Sequence, residues 1–494
     1  MDWVRKGTDD PGPRWPHCRM LTQLPTGVPG LPRTVLGVLL AAQLAACASA
    51  PANRDQPAGV RVPAAWSVAD PVVADAGPAT PAALADWWLQ FDDPLLADLV
   101  GRALRSNTTV NGAQAALLQA QALRDVAAAG LWPTLTASAS AQQGTSGGHG
   151  TGKLFQAGAD ANWVVDVFGA RRHGLAASES VAAASAASLG DVQVQVAAEA
   201  ALDYILLRSA QSRLAIANDN LDSQAETLQI TLWREQAGLV TSLESEQARA
   251  ASSSTRAQVP ALQTAVNQAA HALAVLVGEP PAALDALVAR PQAVPQAREG
   301  MAVRIPAETL RQRADVRAAE HQFAAALARV QQARANRWPG FAIAGSLGTS
   351  ASSTAALAER ASVLTSVLAS ISLPLFDGGA LRATVRAQRA AAEQSRQAWR
   401  AAVLGALQEV EDALVALRND QQQLGDLGDA AGAAARAALL ARQRYGSGLV
   451  DFQVVLETQR TQFNAQDSLA SATALYSSDH VRLYRALGGG WSAP

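Results

Sequence analysis

Residues 132–142 read WPTLTASASAQ, a Trp-Pro pair followed by nine residues in which polar and apolar side chains alternate without exception. Proline ends a preceding helix, and alternation with a period of two is typical of a β-strand with one polar and one apolar face. A second alternating run, at residues 155–167, places Phe155 and Trp163 on its apolar side. Two strands of about ten residues, each apolar on one side only, are typical of a transmembrane β-barrel. An amphipathic sheet on the core of a soluble domain is the alternative.

The chain contains this pattern twice. The Trp-Pro pair at residues 132–133 recurs at 338–339, and the Gly-Leu-Val triplet at 238–240 recurs at 448–450. Alternating residues follow the second Trp-Pro pair within residues 341–375. A period of about 200 residues indicates an internal duplication of a whole domain, because solenoid repeats are only about 20–50 residues long.

A long proline-free segment follows each pair of strands, at residues 169–238 and 378–448, and is rich in alanine, glutamine, arginine and leucine. As a helix, each segment is on the order of 100 Å long. Apolar residues at helical spacing mark the side that each helix buries, namely Val192, Val196, Leu202 and Leu206 in the first and Leu407, Val410, Leu414 and Leu417 in the second. We expect helices at 243–277 and 453–487 to run back along them as antiparallel coiled coils.

These elements predict five parts in the chain. Helical spacing over residues 92–131 begins the first repeat, and each repeat has one strand hairpin and one tip turn. The predicted parts are a signal peptide (1–46), a lipidated extended segment (47–91), the first repeat (92–278, hairpin 133–168, tip near 238), a proline-rich linker (279–306) and the second repeat (307–491, hairpin 339–376, tip near 448).

The apolar segment around Val35–Ala42 is about a dozen residues long, which is too short to span a bilayer but suits a signal peptide. It is followed by Leu-Ala-Ala-Cys at residues 44–47, which resembles a bacterial lipobox. Cleavage there leaves Cys47 as a lipidated N-terminus, whose acyl chains bind a membrane with about 0.8 kcal/mol per buried methylene. An ordinary secretory signal before an unrelated cysteine is the alternative. Residues 1–19 hold acids and prolines that a signal peptide does not need, so Met20 is a candidate start.

Composition argues against several classes of function. The six histidines lie singly rather than at metal-ligand spacing, which predicts no metal site. No nucleophile, paired carboxylate or phosphate-binding loop stands out, so we expect no enzyme activity and no cofactor apart from the covalent lipid on Cys47. The formal net charge of −2 argues against nucleic acid as a partner.

Four strands per chain are too few to close a barrel, because single-chain outer-membrane barrels have at least about eight. An open edge in hydrocarbon leaves backbone groups unsatisfied, at a cost of several kcal/mol each. The barrel must therefore be shared between chains. Two chains supply eight strands and three supply twelve, and the residues alone leave this number open.

Several short motifs occur in a characteristic order. They are Trp87-Trp88 with Phe91, Asp93-Pro94-Leu95, Asp166-Val167-Phe168-Gly169, Arg313-Ala314-Asp315-Val316, Leu373-Pro374-Leu375-Phe376-Asp377-Gly378-Gly379 and Ala486-Leu487-Gly488-Gly489-Gly490-Trp491. Over residues 47–491 the chain thereby resembles the TolC-like outer-membrane efflux proteins, most closely their NodT-type lipoprotein branch. Ala314 replaces the proline of the family's usual Arg-Pro-Asp.

The resemblance implies a mainly α protein with a membrane β-barrel. It implies a homotrimer in the cell outer membrane, with four strands per chain in a shared twelve-stranded barrel and long antiparallel helices that form a tunnel through the periplasm. The implied function is that of the exit duct of a tripartite efflux pump, which passively conducts drugs or other small molecules. The implied partners are a periplasmic adaptor protein and an inner-membrane transporter of the resistance–nodulation–division class.

The resemblance also implies two sites. Carried onto this chain, the periplasmic gate falls at Gln453, Glu457 and Arg460. Glu457 and Arg460 face the same side of a helix, so that three copies can pair between chains and hold the end shut. A solvated surface pair is the alternative. The turns that dock the adaptor correspond to Gly238, Leu239 and Val240 and to Gly448, Leu449 and Val450.

Two other functions fit the same helices. An outer-membrane channel for type I protein secretion shares the fold, although the lipid anchor favours efflux. A lipid-anchored periplasmic coiled-coil scaffold needs no pore, and the alternating strands argue against it.

Overall fold

The computed structural model describes residues 84–146, 149–297 and 312–491, together with Trp66. These residues belong to one compact unit, which comprises residues 57–494. The predicted signal peptide and Cys47 lie outside the described residues. The first half contains helices α1 (Pro94–Ser106) and α2 (Thr108–Ala129), strands β1 (Thr134–Ser146) and β2 (His149–Val165), and helices α3 (Ala170–Gln236) and α4 (Ser242–Leu276). After the short helix α5 (Asp285–Val288) come α6 (Ala314–Ala335), β3 (Gly340–Ala351), β4 (Val363–Ser372), α7 (Ala380–Gly446) and α8 (Phe452–Ala486).

The element order of the first half recurs in the second with equal helix lengths. Helices α2 and α6 each have 22 residues, α3 and α7 each have 67, and α4 and α8 each have 35. At 1.5 Å per residue, α3 and α7 are each about 100 Å long. The two long helices and the helices that return along them therefore match the expectation from the sequence.

The region expected to be helical from 92 to 131 is divided at Asn107. The Asn107 backbone is extended, and its side-chain oxygen accepts hydrogen bonds from the amides of Thr109 (2.8 Å) and Val110 (3.3 Å). Asp93 caps α1 in the same way, directly before a proline at the first helical position. Such caps satisfy amides that have no partner within the helix, so each side chain fixes where its helix begins.

Two segments expected to be extended or connecting contribute to the core instead. The end of segment 47–91 forms a 3-10 turn at Trp87–Phe91, whose three aromatic side chains are buried. In the linker 279–306, the described part contains a 3-10 turn at Pro281–Leu284 followed by α5, and Leu284 and Val288 are buried against the main apolar cluster. Aromatic and branched side chains of this size stabilise the fold when they leave water.

The predicted apolar stripes are correct for α7 and partly wrong for α3. Val410 and Leu414 of α7 are buried, whereas Leu206 of α3 is 56% exposed and its neighbours Ile205 and Leu207 are buried. Helix α3 contacts α1, α2, α4, α6 and α8. With partners on several sides, α3 buries more than the single face that a stripe predicts.

The four strands form one antiparallel sheet in the order β1-β2-β3-β4. Its register pairs Leu135 with Ala161, Trp163 with Ile343, and Ile343 with Ala369. Paired residues share a face, so Leu135, Trp163, Ile343, Val367 and Ile371 lie on one side of the sheet, which we call the apolar face. Leu364 and Leu368 lie on the other side, among serines and threonines. Among the described residues, β1 and β4 each pair on one side only, and every residue of β4 is exposed.

The helices continue the order of the strands. Helix α2 packs on α3, α3 on α6, and α6 on α7, and these four helices join β1, β2, β3 and β4 respectively. Toward the other ends of α3 and α7, α4 packs on α3, α3 on α8, and α8 on α7. Each chain therefore forms a panel in which strand order and helix order agree.

Within the described ranges, no single helix is both long and apolar enough to cross a membrane. The helical segments Ser242–Leu276 and Pro281–Val288, which are bent by 105° relative to each other at the break between them, pass that test as a pair by length and composition.

Candidate channel wall and helical tip

The two faces of the sheet differ in the chemistry of their side chains. On the apolar face, Leu135, Val367 and Ile371 are 77%, 85% and 69% exposed. On the opposite face, Ser346 pairs with Ser366 and their hydroxyl oxygens lie 2.8 Å apart. A sheet with one apolar and one hydroxyl-rich face can separate hydrocarbon from water.

The long helices begin at the end of the sheet with matching caps. The Asp166 carboxylate accepts hydrogen bonds from the amides of Arg171 (3.1 Å) and Arg172 (2.9 Å) at the start of α3. Asp377 accepts them from the amides of Leu381 (2.7 Å) and Gly379 (2.8 Å) at the start of α7. The amide donors lower the pKa of Asp377, because they stabilise its charged form.

The predicted tip turns are tight reversals that depend on glycine. Gly238 and Gly448 have φ angles of 70° and 72°, in the left-handed region. The amide of Leu239 donates to the Arg234 carbonyl (2.8 Å), and the amide of Leu449 donates to the Arg444 carbonyl (2.9 Å). This pattern ends a helix by satisfying its last carbonyls. It leaves both leucines 73% exposed, while Val240 and Val450 are half-buried.

The two tips are joined by contacts that the sequence did not indicate. The Arg234 guanidinium lies 4.4 Å from the centre of the Tyr445 ring and donates to the Gly446 carbonyl (3.0 Å). Tyr445 also packs with the buried side chains of Phe452 and Val455. Arg234 lies more than 200 positions before its partners, so no local pattern could pair them. The contacts hold the end of α3 beside the end of α7.

The predicted gate residues lie on one exposed face of α8. Gln453, Glu457 and Arg460 are all exposed, and the Arg460 Nη2 lies 2.7 Å from the Glu457 Oε2. The structure therefore brings Glu457 and Arg460 together as a pair within one chain. Both side chains are more than 60% exposed, so the pair is worth only about 0–1 kcal/mol.

Helix α8 is attached to α3 by three polar contacts, whose α3 residues are seven positions apart. Gln459 donates to the Thr227 hydroxyl (2.9 Å), and Asn220 donates to Gln466 (3.0 Å). The third contact is the two-point ion pair of Arg213 with Asp467, with distances of 2.7 and 3.0 Å. Directional contacts of this kind in a helical interface favour one register over others. They fix how far α8, and the gate face with it, can slide along α3.

A buried arginine attaches the linker to the middle of α3. The Arg208 side chain is fully buried and donates to Gln211 (2.8 Å), to the Arg290 carbonyl (2.9 Å) and to Gln292 (3.1 Å). Beside it, the Tyr204 hydroxyl donates to the Asp93 carboxylate at 2.6 Å. A buried cation is tolerated only with such partners, so these contacts fix the described part of the linker against α3.

A buried acid lies near the end of α8. The Asp479 side chain is 1% exposed and receives a hydrogen bond from Arg482 (2.6 Å). Burial raises the pKa of Asp479 to about 6, and the neighbouring carboxyl of Asp420 on α7 contributes in the same direction. Burial and the nearby carboxyl therefore both disfavour the charged form of Asp479.

None of the described residues forms a group of three or more histidine, cysteine, aspartate or glutamate side chains placed to hold a metal ion. The candidate site consists of the two-faced sheet and the helical tip described above.

A family model described as outer membrane efflux protein matches residues 99–279 and, again, residues 305–489. The chain belongs to the outer membrane efflux protein family.

Individual members of the family match nearly the whole chain. Nodulation protein T of Rhizobium leguminosarum bv. viciae is 30% identical over 83% of this chain and 86% of its own length. The pyoverdine export outer membrane protein OpmQ of Pseudomonas aeruginosa is 31% identical over 91% of this chain and 95% of its own length. A solved structure of the outer-membrane channel OprN is similar with a TM-score of 0.80 and 34% identity, and the match covers 90% of this chain and 100% of that one.

This outer membrane efflux protein is a channel of the outer membrane that extends into the periplasm. Its relatives are named as outer-membrane efflux and export proteins and as an outer-membrane channel. The family, the fold class, the efflux function and the location expected from the sequence are thereby confirmed.

Proposed function

We propose that three copies of the chain form one twelve-stranded barrel and one continuous helical tunnel, through which small molecules leave the periplasm. The observation that carries this proposal is the four-stranded sheet, which has one apolar face and two edges that no other described strand pairs with. An edge exposed to hydrocarbon costs several kcal/mol per unsatisfied backbone group. Pairing β4 of one copy with β1 of the next removes every edge.

The agreement of strand order and helix order supports the same assembly. Helices α2 and α7 lie at the two sides of the panel of four helices, as β1 and β4 do in the sheet. The contact between neighbouring copies then continues from the barrel into the tunnel. A homotrimer needs no further element of the chain to close both.

We propose that the tip turns dock a periplasmic adaptor protein, which connects the duct to an inner-membrane transporter of the resistance–nodulation–division class. Leu239 and Leu449 support this role, because tight turns hold both of these large apolar side chains in solvent. Exposed apolar groups presented by a rigid turn suit a protein partner. Gly238, Val240, Gly448 and Val450 complete the two turns.

The proposed periplasmic gate is the exposed face of α8 that carries Gln453, Glu457 and Arg460. In each chain the two charged side chains already pair. With three such faces around an axis, each carboxylate can exchange its partner for the arginine of the next copy, and the ring of pairs holds the end closed. Cys47 is the proposed site of the lipid anchor.

The cargo is a small molecule in this proposal, and the pump rather than the duct selects it. Relatives are named for compounds as different as pyoverdine and toluene. The wall described above has no enclosed site with converging charges that would select one of them.

A cysteine cross-link tests the shared barrel directly. Within one chain β1 and β4 are separated by two strands, which places them about 14 Å apart. Cysteines whose Cα atoms lie more than about 7 Å apart do not form a disulfide. A chain with Cys18 and Cys47 changed to serine receives one cysteine in β4 and, in a series of variants, one at each position of β1.

Oxidation of the membrane-assembled protein should give covalent dimers and trimers at the β1 positions that match the register. The control pair Ala137→Cys with Ala159→Cys lies directly opposite within one chain and should give no linked chains. If no β1 position yields linked chains while the control pair oxidises, the shared barrel is wrong. Conductance of the purified protein in planar bilayers then separates a channel from a scaffold.

A further inference from the structure

The end of the sheet that meets the long helices combines exposed aromatic side chains with arginines. Trp132, Trp338 and Phe376 are 73%, 60% and 92% exposed, although each lies beside the start or the end of a strand. Arg337 precedes Trp338, while Arg386 and Arg389 lie in the second and third turns of α7. We call these six residues the junction band.

Positive charge is concentrated at this end of the sheet. Residues 166–172, 334–338 and 377–389 hold seven arginines and two aspartates. Both aspartates already cap helices, and Asp166 also pairs with Arg172. At the other end, residues 352–362 between β3 and β4 contain one glutamate and one arginine. The helix side therefore has an excess of positive charge that the connection between β3 and β4 lacks.

The fold accounts for only part of these charges, since Arg172 pairs with Asp166 and Arg171 donates to the Gly130 carbonyl. Arg171, Arg172 and Arg382 lie in the first turn of a long helix, where the helix dipole disfavours positive charge. Among the described residues, Arg337, Arg386 and Arg389 form no ion pair. The unpaired charges of these three arginines point to an anionic partner outside the chain.

We propose that the junction band binds anionic phospholipid headgroups in the leaflet of the outer membrane that faces the periplasm. This inference rests on the shared barrel, which places the ends of the strands at the membrane surface. Tryptophan at strand ends is typical of the girdle at a membrane interface. Arg386 and Arg389 begin roughly 9 and 14 Å along α7, and arginine side chains extend toward headgroup phosphates, which they bind with two parallel hydrogen bonds.

Native mass spectrometry of the purified full chain in detergent tests the proposal, with phosphatidylglycerol and phosphatidylcholine added in equal amounts. The test variant carries Arg337→Gln, Arg386→Gln and Arg389→Gln. The control variant carries Arg256→Gln, Arg400→Gln and Arg436→Gln, which remove the same charge from exposed positions farther from the sheet. A third variant replaces the three test arginines with lysine.

We expect the wild type to retain phosphatidylglycerol in preference to phosphatidylcholine, and salt to weaken that preference. The test variant should lose about fivefold of the preference for each arginine removed. The control should match the wild type, and the lysine variant should lose less of the preference than the test variant, because lysine keeps the charge but not the two parallel hydrogen bonds. Equal preference in the test variant and the control, or none in the wild type, overturns the proposal.

Heat resistance of the oligomer and its conductance are measured on the same samples. A wild type that conducts but shows no lipid preference contradicts the lipid inference alone. A wild type that forms no conducting oligomer contradicts the shared barrel as well. If the test variant loses its oligomer in phosphatidylcholine alone, where no anionic lipid is present, the arginines act within the protein and the inference is wrong.

Discussion

Aspartate substitutions at two neighbouring positions of β4, one on each face of the sheet, should have opposite consequences. Val367 lies near the middle of β4, is 85% exposed and belongs to the apolar face. Ser366 precedes it and faces the other way, opposite Ser346. Val367→Asp and Ser366→Asp therefore place the same charge at nearly the same depth, on different faces.

The depth of Val367 sets the size of the expected effect. In a membrane barrel, Arg or Lys on the lipid face costs about 2–4 kcal/mol at the midplane, and Asp costs somewhat less. At about 2 kcal/mol per copy, three copies destabilise a trimer by about 6 kcal/mol, comparable to the whole stability of many folded domains. Ser366→Asp loses the hydroxyl contact with Ser346, about 1 kcal/mol at most, and its charge remains in water.

The assay is the yield of heat-resistant oligomer in outer-membrane fractions, at matched total expression. We expect Val367→Asp to abolish the oligomer and Ser366→Asp to leave it near the wild-type level. Ile371→Asp, one residue from the end of the strand, should be intermediate, since the cost falls toward the interface. Equal yields for Val367→Asp and Ser366→Asp would refute the assignment of the apolar face to lipid.

Three further predictions concern the helices. Glu457→Ala and Arg460→Ala should each raise single-channel conductance, and the double variant should be less than additive because both break one pair; unchanged conductance in both would mean that other residues close the tip. Gly448→Ala should lower the melting temperature and weaken adaptor cross-linking, because a left-handed φ costs a side chain about 1–2 kcal/mol. The control Gly446→Ala, at the end of α7 with open space around it, should be neutral or stabilising. Equal melting temperatures for the two variants would contradict the turn geometry. Because the pKa of Asp479 is raised to about 6, the folded chain binds this proton more tightly than the unfolded one, so this group lowers stability as the pH rises from about 4 to 6. Asp203, whose pKa is also raised to about 6, acts in the same direction, so Asp479→Asn should reduce that slope in thermal melts rather than remove it, and an unchanged slope would contradict the assignment.

The long helices were predictable because local signals set their ends. The sequence predicts a helix between Gly169 and Gly238, and α3 occupies Ala170–Gln236. Both glycines have positive φ angles, which a helix interior does not accept. The return helix expected at 243–277 is Ser242–Leu276. The helical period and the positions of the glycines depend only on residues that are close in sequence. The ends of these helices can therefore be predicted from the sequence alone.

The sheet faces were predictable for a related reason. Alternation assigns each residue of β1 and β4 to a face before the register is known, and the observed pairs agree with that assignment. The break at Asn107 is different, because a helical spacing of leucines continues across it. Asparagine followed by Thr108 is a recognisable cap signal, and the apolar spacing concealed it.

Contacts between distant parts of the chain could not be read from the sequence. Arg208 is buried only because residues 290–292 return to it, and in isolation an arginine in a long polar helix indicates a solvated surface. The pairing of Thr227 with Gln459 depends on how α8 is positioned against α3. Such partners are fixed by packing rather than by local spacing.

The equal lengths of α3 and α7, and of α4 and α8, restrict how such a channel can change length during evolution. One residue inserted into α3 alone moves its tip by about 1.5 Å and turns it by about 100°, which separates Arg234 from Tyr445 and shifts Thr227 away from Gln459. Insertions of about one heptad preserve the facing side chains, but only when both helices of both hairpins receive them. The length of the channel in the periplasm therefore depends on four helices at once. A lineage with a wider periplasm must lengthen all four together.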